Sequence, residues 1–530
     1  MEILIFLVVS YLLFSISLKP LFEKAGENGW AALVPGYNFV VMNRLVGQRP
    51  WHAAWMLFPV VNIFIYVGLC VDLVRSFGKY SFPDSALAVI YAPLAFFLIG
   101  RNKDDKYKGP VLTAEKAYKE QIREASEKGQ EKELRKLLRQ NPFAKGPVRE
   151  WVEAVVFAIF AAAFIRMFLI EAYTIPTSSM EGSLKVGDFL FVSKAHYGIR
   201  TPKTVLMLPL LHNQIPIIGG ESYLSEPNLP FFRLPALTKV KRNDPVVFNY
   251  PEGDSVYVFP ERTWSIHDFR RGAVSPNRLM DIRSGKADLA VRPTDKKDHY
   301  IKRCVGLPGD TLEVRDRQVY INGQRAQNPT HMQFLYMLKQ TSGAGINLGQ
   351  LSAFGVNVAE SNPQLGLFFL DSLQVEQIRE MDPTIAVSLL DQPPPGRNYL
   401  FPHDSENFPD WTVDNFGPVF LPAKGSSVRL EPHTIALYRR IITVYEGNTL
   451  AQDGDTFLIN GQPATDYTFE MDYYWMMGDN RHNSEDSRVW GFVPQDHIVG
   501  KPLFIWFSTK NGSIWNGINT NRIFRSANTM

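Results

Sequence analysis

Apolar positions are concentrated in the first third of the chain. Four apolar stretches stand out, at residues 2–18, 54–74, 85–100 and 151–170. A helix needs about 20 mostly apolar residues to cross a bilayer, so this pattern predicts membrane helices. The third stretch is short and contains Pro93, and a buried or re-entrant segment is the alternative for it.

Charge gives these stretches an orientation. Residues 2–18 have neither a basic start nor a small-residue cleavage site after them, which predicts an anchor rather than a cleaved leader. Residues 101–150 are rich in Lys and Arg and are predicted to be a cytoplasmic linker, because short basic loops remain in the cytoplasm. The sequence thus predicts a multi-pass protein, with 1–100 as an N-terminal membrane region, 151–171 as a transmembrane helix and 172–530 on the outer face. The side of the N-terminus depends on whether three or four stretches span.

The pattern changes after residue 171, where short alternating runs are separated by turn residues. Examples are residues 188–194, 244–250 and 311–324, whose β-branched and aromatic residues favour strands. Residues 310–326 and 448–464 resemble each other, and each has Asn-Gly at a turn. This predicts two equivalent hairpins, with a chance likeness as the alternative.

Between these strand-rich parts, residues 326–447 carry no strong motif. They are predicted to be an insertion or cap subdomain. The outer domain is thereby divided into a first core part, 172–325, the insertion, and a second core part with the C-terminal tail, 448–530.

Composition changes this picture little. The 530 residues carry a net charge of +3, which gives no reason to expect nucleic acid as a partner. Cys70 lies in an apolar segment and Cys304 in the large domain, so no disulfide is expected. The sequence has no metal-binding motif, and no metal site or cofactor is predicted.

Two segments of the large domain hold candidate catalytic side chains. Thr177, Ser178 and Ser179 form a hydroxyl-rich turn a few residues after the last membrane stretch. Lys302 lies in a predicted strand, and if it points into an apolar interior its pKa falls and the neutral amine can act as a base for a serine. Taken separately, the two segments are also explained by a structural turn and by an ordinary surface lysine.

A third segment, residues 476–494, is dense in polar side chains and enclosed by Met-Met and Val-Trp-Gly. A turn held by an ion pair between Asp486 and Arg488 is a sufficient structural explanation of it. Its significance comes from its place after the serine and lysine segments.

Together these segments resemble the motifs of type I signal peptidases, the leader peptidases. The matching stretches are PTSSMEGSLKVGD (176–188), RNDPVVFNYP (242–251), KRCVGLPGD (302–310) and GDNRHNSEDSRVWG (478–491). The resemblance implies a mainly β fold, an antiparallel β-sheet signal-peptidase catalytic domain with a large insertion, preceded by an α-helical N-terminal membrane region. It implies a membrane-bound serine endopeptidase that removes N-terminal signal peptides from exported proteins. A catalytically silent membrane scaffold of the same fold is the alternative.

The resemblance also implies roles for individual residues. Ser179 is expected to be the nucleophile, and Lys302 the general base that later protonates the leaving amine. The hydroxyl of Thr177 and the backbone N–H of Ser179 are expected to form the oxyanion hole.

Supporting roles follow in the third segment. Ser484 is expected to hydrogen-bond and orient Lys302, and Asp486 and Arg488 to form a supporting ion pair. The chain departs from the family pattern at Gly182, where the family has Pro, and at Ser183, where it has Thr. His482 replaces a frequent aspartate and would allow a Ser–His mechanism as a minor alternative.

The implied substrate is a signal peptide with small residues before the cut. Residues 172–175 are extended and are expected to pair with it as an added strand. Tyr173, Ile175 and Pro176 are the predicted substrate-binding residues. The expected location is the bacterial inner (cytoplasmic) membrane, with the catalytic domain on the periplasmic or outer side. The lipid bilayer is then a partner, and the N-terminal spans and the insertion leave room for contact with export machinery.

Overall fold

The computed structural model describes residues 2–57, 61–144, 147–204, 207–208, 210–216, 220–226, 228–259, 262–341, 345–392, 396, 398–454 and 456–528. The chain forms two compact units, Met1–Ala158 and Ile159–Met530. The first unit is helical, and the second is built mainly of β-sheets.

The first unit is organised around apolar helices. In chain order the helices are α1 (Glu2–Lys24), α2 (Tyr37–Val46), α3 (Val61–Ser76), α4 (Phe82–Arg101), α5 (Val111–Glu127) and α6 (Glu131–Arg139), followed by α7 (Pro147–Phe164). Helices α1, α3 and α4 share a core that includes Phe14, Leu73 and Phe96. The ammonium of Lys24 joins the C-terminal ends of α1 and α4 by donating to the carbonyl of Ile99 at 2.7 Å.

Helix α4 coincides with the third predicted membrane stretch. Among the described residues it is the one helix of sufficient length and apolar composition to cross a membrane. It is bent, because Tyr91 has φ −155° and ψ 82°, two residues before Pro93. A cavity of about 330 Å³ is lined both by Asp84, before the bend, and by Leu98, after it. A bend next to a proline occurs in spanning helices as well as in re-entrant segments, so both interpretations of this stretch stay predictions.

The other predicted membrane stretches are placed as follows. Residues 2–18 lie in α1, and residues 151–169 lie in α7 and the π-helical turn Ile165–Leu169 that follows it, while Ile170 already belongs to the first strand, Ile170–Thr174. The stretch 54–74 falls partly on residues 58–60, outside the described part of the chain. A multi-pass topology therefore stays a prediction.

The second unit contains many short strands, as its alternating sequence predicts. They are β1 (Ile170–Thr174), β2 (Asp188–Ser193), β3 (Pro245–Asn249), β4 (Ser255–Val258), β5 (Thr263–Ser265), β6 (Leu289–Val291), β7 (His299–Gly306), β8 (Thr311–Arg315), β9 (Gln318–Ile321), β10 (Gln324–Arg325), β11 (Phe334–Gln340), β12 (Leu367–Leu370), β13 (Ile385–Leu389), β14 (Phe416–Phe420), β15 (Ser427–Arg429), β16 (Leu450–Asp453), β17 (Thr456–Ile459), β18 (Gln462–Ala464), β19 (Asp466–Thr468), β20 (Tyr473–Met477), β21 (Val493–Pro494) and β22 (Ile498–Ser508). The helices between them are α8 (Ile266–Arg270), α9 (Pro276–Arg283), α10 (Leu348–Ala353), α11 (Ser372–Met381), α12 (Ile435–Arg440) and α13 (Ser487–Trp490).

The described residues form a seven-stranded antiparallel sheet at the centre of this unit, in the order β1-β2-β22-β3-β7-β20-β21. Strand β7 lies between β3 and β20, with Lys302 paired to Val246 and Cys304 paired to Met476. Apolar side chains such as Val247 are buried against it. The predicted mainly antiparallel β fold, preceded by a helical N-terminal region, is confirmed.

The two stretches with similar sequences fold alike. Strands β8, β9 and β10 form one meander and β16, β17 and β18 form another. The turn residues Asn322 and Asn460 have φ of 51° and 50°. Their side-chain oxygens accept equivalent bonds, from the N–H of Thr311 at 2.8 Å and from that of Thr449 at 2.9 Å. The same turn chemistry thus stabilises two equivalent hairpins.

Part of the predicted insertion forms a small subdomain with its own core. Strand β11 pairs with both β12 and β13, and α10 and α11 pack on this sheet through Leu351 and Ile378. We call β11–β13 with α10 and α11, residues 334–389, the insertion subdomain. Further along, β14 pairs with β8, so the stretch 326–447 also contributes to the sheet of the first hairpin.

Candidate active site

Ser179 lies in a short turn directly after the edge strand β1. Residues Ser178–Met180 form a single 3-10 turn. The loop is closed by the N–H of Gly187, which donates to the carbonyl of Ile175 at 2.9 Å. From the other side, the N–H of Asn480 donates to the carbonyl of Ser179 at 3.1 Å. The backbone around Ser179 is therefore fixed by a bond that closes its own loop and by a bond from a segment distant in sequence.

Lys302 comes from the centre of β7 and points at this turn. Its ammonium nitrogen lies 2.7 Å from Oγ of Ser179 and 3.2 Å from the carbonyl oxygen of Ile301. Strands β3 and β20 flank β7, and the exposed fraction is 3% for Lys302 and 8% for Ser179. The structure thus brings together the two residues that the sequence predicts as nucleophile and base.

The surroundings of Lys302 disfavour its charged form. Burial lowers the pKa of Lys302 from 10.5 to about 8, although the carboxylates of Asp486, Glu485 and Asp479 oppose this shift. Desolvation therefore outweighs three negative charges. The neutral amine is accessible near neutral pH, as a general base requires.

The third motif provides a buried ion pair beside this site. The guanidinium of Arg488 donates to both carboxylate oxygens of Asp486, at 2.9 and 2.7 Å. Asp486 also accepts the N–H of Gly478 at 3.1 Å, and both charged side chains are almost fully buried. Burial alone would raise the pKa of Asp486, but Arg488 lowers it below its ordinary value. The pair fixes the turn between β20 and α13.

Two predicted site residues, Ser484 and Thr177, are connected less closely to Ser179 and Lys302. The hydroxyl of Ser484 donates to the carbonyl of Glu485 at 3.4 Å. Among the contacts of the described residues none joins Ser484 to Lys302, so the expected orienting bond is not formed in this structure. Thr177 is exposed and extended, with φ −130° and ψ 156°, immediately before the turn.

A second buried ion pair was not assigned a role from the sequence. Arg303 donates to both carboxylate oxygens of Asp479, at 2.6 and 2.7 Å, and to the carbonyl of Asn243 at 2.6 Å. The hydroxyl of Ser183 bonds the same carboxylate. This network joins the serine, lysine and third motifs. The signal available in the sequence was strand alternation, which places Arg303 opposite Lys302 on β7.

The structure explains why residue 182 is glycine. Gly182 has φ +99°, and a Cβ there would lie 2.3 Å from the carbonyl oxygen of His331. Proline, which the family pattern has here, is restricted to φ near −65° and does not fit this conformation. Because the backbone of His331 comes this close, position 182 requires glycine.

We expect Gly182→Ala to lower catalytic efficiency by about tenfold or more, because relieving this clash displaces the nucleophile turn. Steady-state kinetics of the purified variant would measure it. Gly285→Ala is the matched control, since Gly285 also has positive φ, +73°, but nothing within 4 Å of its Cβ position. Equal activity of the two variants would contradict this account of Gly182.

Two other side chains, His482 as a base and Cys304 as a nucleophile, would be alternatives to the dyad. Nε2 of His482 lies 2.8 Å from Oδ1 of Asp414, and its Nδ1 accepts the N–H of Leu335 at 3.2 Å. Both ring nitrogens thus have partners other than Ser179, and the Ser–His alternative gains no support. Cys304 is fully buried, and burial raises the pKa of its thiol well above the usual range.

The predicted substrate-binding residues follow the free edge of the central sheet. In the described part of the chain, strand β1 pairs with β2 on one side and is the last strand of the sheet on the other. Ile175 is buried and Pro176 is exposed. The hydroxyl of Tyr173 donates to Glu171 at 2.6 Å; burial alone would raise the pKa of Glu171, but Lys194, 2.8 Å away, helps to hold it well below its usual range.

Comparison with known families bears directly on this site. The model of a family described as signal peptidase, peptidase S26, matches residues 148–362 and 445–507, more than half of the chain. The chain belongs to the signal peptidase family, peptidase S26. Ser179 and Lys302 fall in the first matched range and the third motif falls in the second. The predicted family is confirmed, and with it the assignment of the second unit as a peptidase.

Individual members of the signal peptidase family align over most of this chain. A protein named Signal peptidase I from Buchnera aphidicola subsp. Acyrthosiphon pisum is 24% identical over 377 residues, which cover 70% of this chain and 79% of that protein. Proteins of the same name from Haemophilus influenzae and Rickettsia typhi are 24% and 22% identical over 376 and 373 residues, each covering 70% of this chain and 73% and 85% of theirs. Residues 30–110 match a different family, one of unknown function (DUF5684).

Proposed function

We propose that this protein is a membrane-bound serine endopeptidase that removes N-terminal signal peptides from exported proteins through a Ser179/Lys302 dyad. The observation that carries the proposal is the 2.7 Å contact between Oγ of Ser179 and the buried nitrogen of Lys302. A serine hydroxyl needs a nearby base to attack an amide. The desolvated lysine, whose pKa burial lowers to about 8, supplies that base.

Acylation uses both members of the dyad. Neutral Lys302 takes the proton of Ser179 as Oγ attacks the carbonyl carbon before the cleavage point. The negative oxygen that develops is stabilised by the backbone N–H of Ser179 and the hydroxyl of Thr177. Protonated Lys302 then gives its proton to the leaving nitrogen, the C–N bond breaks, and the signal peptide stays bound to Ser179 as an ester.

Deacylation repeats the same proton transfers. Lys302, neutral again, takes a proton from a water molecule that attacks the ester carbonyl. The ester bond breaks, Oγ of Ser179 regains a proton from Lys302, and the signal peptide leaves as a carboxylic acid that loses its remaining proton to the solvent. We propose that the Asp486–Arg488 pair supports this geometry by fixing the turn next to Lys302. We also propose that the hydroxyl of Ser484 approaches Lys302 when the substrate is bound.

The substrate is recognised as an added strand. Strand β1 is an edge of the central sheet, so an extended peptide can hydrogen-bond to its backbone. Tyr173, Ile175 and Pro176 would line the contact with the residues before the cut. We expect this contact to accept small side chains and to reject large ones by clash.

We place the protein in the bacterial inner membrane with its peptidase unit on the outer side. The basic linker 101–150 supports a cytoplasmic position for that segment. The nucleophile follows the apolar helix α7 closely in sequence, as a site that cuts at the membrane surface requires. The lipid bilayer and the signal peptides of secreted precursors are the proposed partners, and contact with export machinery is assigned to the N-terminal unit and the insertion.

The test is precursor cleavage by the full-length protein in detergent micelles. A precursor with Ala-x-Ala before its cleavage site is mixed with the wild type, and mass spectrometry identifies the new N-terminus. We expect cleavage directly after the second Ala and none with Ser179→Ala. Ser352→Ala is the matched control, because Ser352 is an exposed serine of α10.

Two outcomes would overturn the proposal. Cleavage by Ser179→Ala would remove the assigned nucleophile. Folded wild type that leaves several such precursors intact would favour the catalytically silent scaffold of the same fold. A second precursor with bulky residues in place of both alanines should remain uncut, which separates specific cleavage from contaminating proteolysis.

A further inference from the structure

The residue before the nucleophile is held by two side chains from different parts of the unit. The hydroxyl of Ser178 donates to Oε2 of Glu360 at 2.8 Å. Oγ of Ser178 in turn accepts the side-chain N–H of Asn483 at 2.9 Å. Ser178 is 4% exposed, and its hydroxyl has both a donor and an acceptor in place. Asn483 belongs to the third motif, whereas Glu360 belongs to the insertion subdomain.

The insertion subdomain and the segment leading into it contact the rest of the serine turn as well. Glu181 is buried; burial raises the pKa of its carboxyl group, while Lys185 and the side chain of Asn357 lower it. The 331 segment, just before β11, comes so close to Gly182 that a Cβ there would meet the carbonyl of His331 at 2.3 Å. Three successive parts of the turn therefore have partners from residues 331–360. Of these three contacts, the one from Glu360 is made to Ser178, the residue next to Ser179 in the sequence.

We propose that Glu360 is a positioning residue for the peptidase reaction, acting through the hydroxyl of Ser178 to align Oγ of Ser179 with Lys302. The inference rests on the proposed function of the dyad. The insertion subdomain is then part of the active-site scaffold as well as an addition to the fold.

The physical reason is the shortness of the turn. A single 3-10 turn, Ser178–Met180, has few internal hydrogen bonds to define its conformation. Proton transfer from Ser179 requires its Oγ to remain within hydrogen-bonding distance of Lys302. A displacement of about 1 Å can lower a rate by about 100-fold. The bond from Ser178 to the carboxylate of Glu360 is charge-assisted, and such bonds are about twice as strong as neutral ones.

Four variants of the full-length protein separate this role from a general structural one. They are Glu360→Ala, Glu360→Gln, Ser178→Ala and the double variant Glu360→Ala/Ser178→Ala. Glutamine keeps an oxygen that can accept the hydroxyl of Ser178, so it is the conservative replacement. Glu376→Ala is the matched control, because Glu376 is exposed on α11 of the same subdomain.

We expect kcat on the precursor to fall about tenfold in Glu360→Ala, with KM within about twofold, because the substrate still binds while Ser179 is misaligned. Glu360→Gln should keep most of the wild-type kcat, and Glu376→Ala all of it. The double variant should be no slower than Ser178→Ala, since Glu360 acts only through that hydroxyl. Melting temperatures are measured alongside, to compare only folded variants.

Three results would overturn the inference. Wild-type kcat in Glu360→Ala would show that the bond does not position Ser179. A further fall in the double variant, beyond Ser178→Ala, would show that Glu360 acts by another route. Equal losses in Glu360→Gln and Glu360→Ala would exclude the hydrogen bond as the cause. Failure of the dyad proposal is distinguishable, since it would appear as retained activity in Ser179→Ala.

Discussion

Replacing Lys302 with methionine is expected to lower kcat/KM on a signal-bearing precursor by about 10³-fold or more. General base catalysis contributes about 10²–10⁴-fold, and a nucleophile without its base loses most of its rate. Methionine has a similar length, so the buried space between β3 and β20 stays filled. The measurement is single-turnover cleavage at pH 8 with enzyme in excess, which detects slow residual activity.

The same variant is expected to be more stable than the wild type. Burial lowers the pKa of Lys302 from 10.5 to about 8, so below pH 8 the folded state holds a desolvated charge that the unfolded state hydrates. This penalty is complete below pH 8 and disappears as pH rises from 8 to 10.5. Removing the amine should raise the free energy of unfolding by up to about 3 kcal/mol at pH 7, and by less at pH 10.

A matched control for both effects is Lys339→Met. Lys339 is exposed on β11, so its replacement should leave kcat/KM unchanged and stability nearly so. A folded Lys302→Met protein with more than a tenth of wild-type activity would show that another group accepts the proton of Ser179.

Replacing Asp479 with alanine is expected to destabilise the second unit by about 3–5 kcal/mol. The variant leaves the guanidinium of Arg303, which is fully buried, without its bidentate carboxylate. It also removes one of the two partners of the Ser183 hydroxyl and leaves the carbonyl of Met180 as the other. An unpaired buried charge is far more costly than the loss of one exposed contact. Urea unfolding followed by tryptophan fluorescence would measure the change.

Two further variants make this test specific. Glu313→Ala breaks an exposed pair with Arg315 and should leave the unfolding midpoint near that of the wild type. The double variant Asp479→Leu/Arg303→Met removes both charges and should be more stable than Asp479→Ala, because no unpaired charge remains. A loss below about 1 kcal/mol in Asp479→Ala would contradict the assigned importance of this pair.

The features of the site that could be predicted from the sequence are those carried by short motifs. The resemblance of the serine, lysine and third motifs to those of type I signal peptidases implied that Ser179 and Lys302 act together. The alternation of β7 put Lys302 on one face and Arg303 on the other, because successive side chains of a strand face opposite sides. It did not decide that the face of Lys302 is buried, which the structure shows. The two Asn-Gly turns likewise predicted equivalent hairpins, since that dipeptide suits the left-handed conformation they adopt.

Contacts between distant segments were not predictable in this way. Arg303 and Asp479 are 176 positions apart, and Ser178 and Glu360 are 182 apart. Their meeting depends on sheet order and on the docking of the insertion subdomain, which no local pattern encodes. The bend at Tyr91 in α4 is a similar case, because Pro93 indicates a break in the helix without fixing the direction of the second half.

The most direct test of the central claim is the pH dependence of kcat/KM for precursor cleavage, from pH 6 to 10. We expect a tenfold rise for each pH unit that levels off near pH 8, where burial places the pKa of Lys302, because only the neutral amine accepts the proton of Ser179. Lys302→Met should show no such rise. A profile that is flat from pH 6 to 9, or a rise with the same midpoint in Lys302→Met, would contradict Lys302 as the base.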